Sequence, residues 1–366
     1  MSLNLSQTYE GATFFEDWTY NASVIDNFTM GNVHYLSREA ANTAQLTYVN
    51  DAGNAIIKVD NTTSGVGNPI FGRDSIKLVS NASFSLGTLY LIDAVHLPYG
   101  CSVWPAIWTL SSVYKTDDGG EVDIWEGVNN VTSAQYTLHT KNGCTQSNNT
   151  AFPYDDQSSV ISTNCYYRVN GNQGCAFAGN NPATYGSAFA QQGGGVFATL
   201  WDGDGIRTWF WPRASIPADI TSGQPDPDTW GTPAAAWPST TCDMEEFFTE
   251  QNIIINITLC GLWAGAADVY AQTCSGLCTD MIAEPSNYNN AYFELRSIKA
   301  YTGAPTTRSI TMATQVNSTT TSTNNSGSGS NANAPSSGGT GAGSRNGVNV
   351  MASWAIAGAV VVAFAL

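Results

Sequence analysis

Short apolar runs separated by polar breaks fill most of this chain. Runs of about four to eight residues, rich in Val, Ile, Tyr, Phe and Trp, alternate with clusters of Gly, Pro, Asn and Asp, and helical spacing is rare. This pattern predicts an all-β fold, a sandwich of antiparallel strands with long loops. Residues 253–260 read as a buried strand, 199–211 as a hairpin turning at Asp-Gly, and 291–301 as an alternating closing strand. Segments 72–78 and 87–93 are expected to be neighbours in one sheet. Residues 141–195, rich in Asn, Gly and Gln, read as long loops.

One strand carries charge where the pattern calls for a packed interior. Gly120-Glu121-Val122-Asp123-Ile124-Trp125-Glu126-Gly127 sets three carboxylates among apolar residues. Plain alternation puts Glu121, Asp123 and Trp125 on one face and Glu126 on the other. A bulge after Asp123 returns Glu126 to the face of Glu121, so that the two can flank one bond. Paired carboxylates across a glycosidic bond are the equipment of a glycoside hydrolase, one attacking the anomeric carbon and the other protonating the leaving oxygen. Burial and a neighbouring negative charge keep such an acid protonated. A calcium loop is the competing reading, but Val122, Ile124 and Trp125 suit a packed sheet better than an oxygen-ligand loop.

Composition narrows the partners. Thirteen Lys plus Arg stand against 29 Asp plus Glu, a net charge of −16, which excludes nucleic acid as a natural partner. Eight cysteines are compatible with four disulfides in an oxidising compartment, in any of 105 pairings. A zinc site is not indicated, since Cys274 and Cys278 have no second close Cys or His pair and His34, His96 and His139 lie far apart. Ten Asn-x-Ser/Thr acceptors suit a secreted glycoprotein, some of them chance matches. Residues 1–10 show neither a charged nor an apolar leader region, so a secretory signal is expected to have been removed or to lie elsewhere. Arg73 reads as a structural charge partner.

The acidic segment, with Val128 and Asn129, resembles the Glu-x-Asp-x-x-Glu signature of glycoside hydrolase family 16 in its laminarinase-like, bulged form. The family's transglycosylases and lichenases carry a form one residue shorter. The resemblance extends through Trp104-Pro-Ala-x-Trp108, Thr137-Leu-His139-Thr and the proline-rich stretch after Pro212, covering about residues 8–301. It implies an all-β fold, a curved antiparallel β-sandwich of the jelly-roll kind with long loops, Glu121 as nucleophile, Asp123 as its helper and Glu126 as general acid/base. Trp104, Trp108, Trp125, Trp263 and His139 are then the candidate substrate contacts, since an aromatic face covers the C–H face of a pyranose. The family often carries Asp where this chain has Leu262.

The expected organisation is a catalytic domain at 1–303, a Ser/Thr/Asn/Gly-rich disordered stalk at 304–347, and an apolar GPI-attachment signal at 348–366. The expected protein is a monomeric, cell-surface endo-β-glucanase acting on 1,3-β-glucan and mixed 1,3/1,4-β-glucan. It meets the membrane only through its anchor and needs no cofactor or metal. Two rivals are a cell-wall transglycosylase and a non-catalytic glucan-binding surface protein.

Overall fold

In the strand Gln251–Leu259 every residue is buried, and the side chains divide cleanly between two faces. Ile253, Ile255 and Ile257 join the main core, while Asn252, Ile254, Asn256 and Thr258 point away from it. Branched residues fit such a pleated surface, and an interior on both sides makes this a central strand. The structure, a computed structural model, describes residues 2–68, 71–111, 119–147, 152–155 and 158–304. The expected stalk beyond residue 304 and the apolar signal at 348–366 lie outside the described residues.

Around that strand an eight-stranded antiparallel sheet is built. It runs Ser158–Val160, Cys175–Gly179, Gln135–His139, Glu121–Glu126, Val103–Ser111, Gln251–Leu259, Lys77–Phe84, Trp18–Tyr20. A second eight-stranded sheet runs Ala235–Pro238, Gly205–Pro212, Gly195–Asp202, Thr88–His96, Tyr292–Thr302, Ala55–Lys58, Thr47–Val49, with Asn4–Glu10 also paired to Tyr292–Thr302. Ile107, Val122, Leu138 and Ile255 of the first sheet share one core with Ile92, Phe197, Phe293 and Ile298 of the second. This is the expected antiparallel sandwich. A short parallel pair, Val33–Tyr35 with Arg73–Ser75, lies beside it.

The predicted hairpin forms, with Asp202 opposite Gly205 and a two-residue turn between them. Asp202 Oδ1 accepts the Asp204 N–H at 3.0 Å, and Gly205 takes a φ of 146° that a side chain would resist. Two expectations are corrected. Lys77–Phe84 and Thr88–His96 lie in opposite sheets rather than side by side. Both runs are apolar, and alternation fixes which face is buried without fixing the partner strand. The loop-like 141–195 contains the strands Ser158–Val160 and Cys175–Gly179 and the helix Gly186–Gln191, short elements that Asn- and Gly-rich composition conceals.

All eight cysteines pair, as Cys101–Cys274, Cys144–Cys242, Cys165–Cys175 and Cys260–Cys278. Arg73 has its side chain wholly enclosed and donates to the carbonyls of Asp60, Thr63 and Ile282. Its guanidinium also lies over the Tyr288 ring, so its role is structural.

Candidate active site

The acidic strand pairs with Val103–Ser111 in a register that slips by one residue. Asp123 faces Trp108, Trp125 faces Ile107 and Glu126 faces Ala106, leaving Ile124 as the extra residue. On its other edge, Glu121, Asp123 and Glu126 face His139, Thr137 and Gln135. Directly opposed residues share a face, so the slip gathers all three acids on the outer face of the sheet, away from the core. Each is only 5–7% exposed.

Trp125 goes the other way. It is fully buried in the core, stacked on Tyr185 at 5.3 Å, with its indole N–H donated to the Thr184 carbonyl at 3.0 Å. The expected substrate contact at Trp125 is therefore corrected. The bulge that turns Glu126 outward turns the residue before it inward.

Transverse rows of opposed residues build the outer face. One runs Asn252, Leu110, Glu121, His139; the next Val79, Ile254, Trp108, Asp123, Thr137; the third Lys77, Asn256, Ala106, Glu126, Gln135. His139 Nε2 stands 3.3 Å from Asp123 Oδ2 and 4.0 Å from Glu121 Oε1. Its buried Nδ1 has no hydrogen-bond partner among the described residues. Glu121, Asp123 and His139 bring ligand-type atoms within 4.8 Å of one another. Glu126 Oε1 accepts from Gln135 Nε2 and from Thr137 Oγ1, each at 3.0 Å.

Burial dominates the electrostatics. Glu126 is pushed up to about 8, first by burial and then by the charge of Asp123, against the opposing pull of His139, Thr137 and Gln135. Asp123 is raised to about 8 by burial alone. Lys77 is lowered by burial, while the charges of Asp26 and Glu121 pull it back up.

The aromatic candidates divide into two sets. Trp104 and Trp263 meet edge to face at 5.4 Å and stay half-buried, forming a wall at the next row beyond Glu126. Two disulfides hold that wall: Cys260–Cys278 closes the segment carrying Trp263, and Cys101–Cys274 ties it to the chain just before Trp104. Trp108 does face the acids, but it is only 5% exposed, with its N–H held by Asn256 Oδ1 at 2.7 Å. Phe28 stacks on it at 5.6 Å, and Lys77 Nζ lies over both rings. Phe28, half exposed, presents the surface that Trp108 was expected to present. Its loop is pinned by Asp26, which accepts from Tyr35, Thr258 and Thr29. Leu262, at the position where the resemblance would place an aspartate, is exposed and joins that loop through its backbone N–H to the Thr29 carbonyl.

Phe28, Lys77, Asn256, Thr137 and Gln135 escaped the sequence reading. Gln135, Thr137 and His139 alternate in one strand, so the last two of that set carried a signal once His139 was suspected. Nothing local marks Phe28 or Lys77.

An antiparallel sandwich with a raised-pKa glutamate and a second carboxylate on one sheet face defines a glycoside hydrolase. The chain belongs to glycoside hydrolase family 16: residues 18–301 match the XgeA-like, catalytic GH16 domain. A Schizosaccharomyces pombe protein named a probable glycosidase is 38% identical over 81% of this chain and 69% of its own length. The Emericella nidulans endo-1,3(4)-β-glucanase xgeA is 34% identical over 81% of this chain and 47% of its own, so the chain spans about half of that relative. Laminarinase 16A from Phanerochaete chrysosporium, solved with β-glucans in donor and acceptor sites, superposes with a TM-score of 0.76 at 33% identity, covering 82% of this chain and all of that one. A family 16 β-1,3-glucosyltransferase described as elongating superposes with a TM-score of 0.73, also at 33% identity and with the same coverage.

Proposed function

We propose that this protein is an endo-β-glucanase that cleaves 1,3-β-glucan and mixed 1,3/1,4-β-glucan by double displacement. The observation that carries the reading is the shared outer face of Glu121 and Glu126, with Glu126 held protonated up to about pH 8. In the first step the Glu121 carboxylate attacks the anomeric carbon while Glu126 gives its proton to the leaving oxygen. In the second, Glu126 as a carboxylate takes a proton from water, which displaces Glu121 from the sugar. Asp123, next to both acids along the strand and 3.3 Å from His139 Nε2, keeps Glu121 oriented, while burial is the main cause that holds the proton on Glu126. Trp104 and Trp263 offer ring faces to the sugar, and Phe28 takes the place expected of Trp108.

The names of the Emericella relative and of the Phanerochaete laminarinase support the choice of substrate. Reducing-sugar release from laminarin, lichenan and cellulose tests it. Activity on the first two, little on the third, and near-complete loss in Glu121→Gln are expected; equal turnover of cellulose or an active Glu121→Gln enzyme refutes it.

A second reading has its own support, since one neighbour of equal identity is a glucosyltransferase. There a sugar hydroxyl replaces water in the second step. Mass spectrometry of the products separates the two, chains longer than the substrate favouring transfer. The protein is further proposed to be secreted and held at the cell surface as a monomer by a C-terminal anchor. Four disulfides and the apolar tail support this placement.

A further inference from the structure

The second sheet has an outer face of its own, opposite the acids. Along its hairpin Val196 opposes Trp211, Ala198 opposes Trp209 and Leu200 opposes Arg207, so these side chains share one side. Phe197 and Ile206 on the other side enter the main core. Trp209 packs outward with Leu89, Leu91, Ala198, Leu200 and Trp230 in a separate small cluster, on which Trp211 rests.

Three tryptophans meet there. Trp230 stands edge-on to Trp209 at 5.3 Å and to Trp211 at 5.0 Å. Two of them are tied down: Trp209 donates its indole N–H to the Gly231 carbonyl, and Trp230 donates its own to Asp219 Oδ2 at 2.7 Å. Both are nearly enclosed. Trp211 differs, being half-buried, with no partner for its indole N–H among the described residues. It lines a groove together with Asp155, Asn181, Pro212, Trp230 and Thr232.

A satellite core under the loop that follows the hairpin would account for Trp209 and Trp230, whose rings and N–H groups are both satisfied. It does not account for Trp211, whose ring stays half-buried at the edge of the groove, with a face left open to an incoming molecule. The groove's chemistry points to a neutral polyol. Among the described residues no lysine or arginine lines it, so they offer nothing to attract an anion, and a carboxylate, an amide and a hydroxyl stand beside an aromatic surface. A pyranose, with an apolar C–H face and a rim of hydroxyls, matches that combination.

We propose that the Trp211 groove is a second glucan-binding site, on the sheet opposite the catalytic one, which holds glucosyl units of the polymer without cleaving them. The proposal rests on the glucanase reading for the identity of the sugar. With the sandwich between them, the two sites engage different stretches or neighbouring strands of an insoluble glucan. Occupying one raises the effective concentration of glucan at the other.

The test uses Trp211→Ala and Trp211→Phe, each in the active enzyme and in a Glu121→Gln background. Retention of the Glu121→Gln protein on insoluble 1,3-β-glucan particles is expected to fall about two- to tenfold with Trp211→Ala and to be largely kept by Trp211→Phe, the range of a single aromatic contact. In the active enzyme, turnover of soluble laminarihexaose is expected to stay unchanged while release from the particles falls. Equal retention of Trp211→Ala and its parent, at unchanged melting temperature, overturns the second site. Absence of hydrolysis of laminarin and laminarihexaose by the unmodified enzyme overturns the glucanase reading instead, and particle retention still decides on Trp211.

Discussion

Thr137 Oγ1 donates to Glu126 Oε1 at 3.0 Å, and the same carboxylate oxygen takes a second bond from Gln135. Both bonds favour the charged carboxylate, so they work against the burial that holds the proton on. Removing one should raise the group further. The rate kcat/KM on laminarin is expected to fall as pH climbs through about 8, where Glu126 loses the proton that the leaving oxygen needs. Thr137→Val should carry that descending limb to higher pH. A limb that moves down instead contradicts the assignment of Glu126 as the acid.

The same shift has a cost in stability. A glutamate near 4.5 in the unfolded chain and about 8 in the folded one makes the folded state the better proton binder between those values. Its contribution is complete below the unfolded value and is lost as pH rises through the folded one. Glu126→Gln, which has no proton to lose, is therefore expected to gain stability over the parent steadily from pH 5 to pH 8. The difference at the upper end should be of the order of a few kcal/mol. Thermal melts of both proteins at matched pH values check this, and a constant difference between them would argue against it.

Two tryptophans should respond in opposite ways to truncation. Trp125→Ala opens a hole against Tyr185, Phe197 and Phe293 and is expected to cost about 3–5 kcal/mol of stability. Trp263→Ala, at a half-buried site, should raise KM for laminarin several-fold with only a small change in melting temperature. Denaturant titration and initial rates separate the two effects.

Loss of Cys101–Cys274, through a double substitution to serine, frees the segment carrying Trp263 from the chain beside Trp104. The expected outcome is a stability loss of about 2–4 kcal/mol together with a raised KM. If KM stays the same while stability falls, the link does not position the wall.

The acidic strand was legible in the sequence down to its bulge, because the spacing of three carboxylates among apolar residues has few physical solutions. The class of fold was legible from the short apolar runs. What stayed hidden depends on partners distant in sequence. Lys77 reaches the site only because its strand pairs with Gln251–Leu259, and Phe28 only because Asp26 is held by Tyr35 and Thr258. Trp125 departs from the expectation for a narrower reason: the slip that brings Glu126 to the outer face also turns the residue before it to the inner one. The sheet assignment of Lys77–Phe84 and Thr88–His96 failed because the crossing between layers is made by a short turn at Gly87, which looks the same as a hairpin within one layer.

Ile124, the unpaired residue of the ladder, makes this catalytic strand a matter of parity. Side chains along an extended chain can point only up or down, so adding one residue inverts everything after it unless the backbone absorbs the addition. Four steps between the glutamates with a regular ladder and five steps with one bulge give the same orientation at Glu126. Insertions and deletions in this segment should therefore be tolerated in proportion to whether the number of bulges changes with them, however conservative the residues involved.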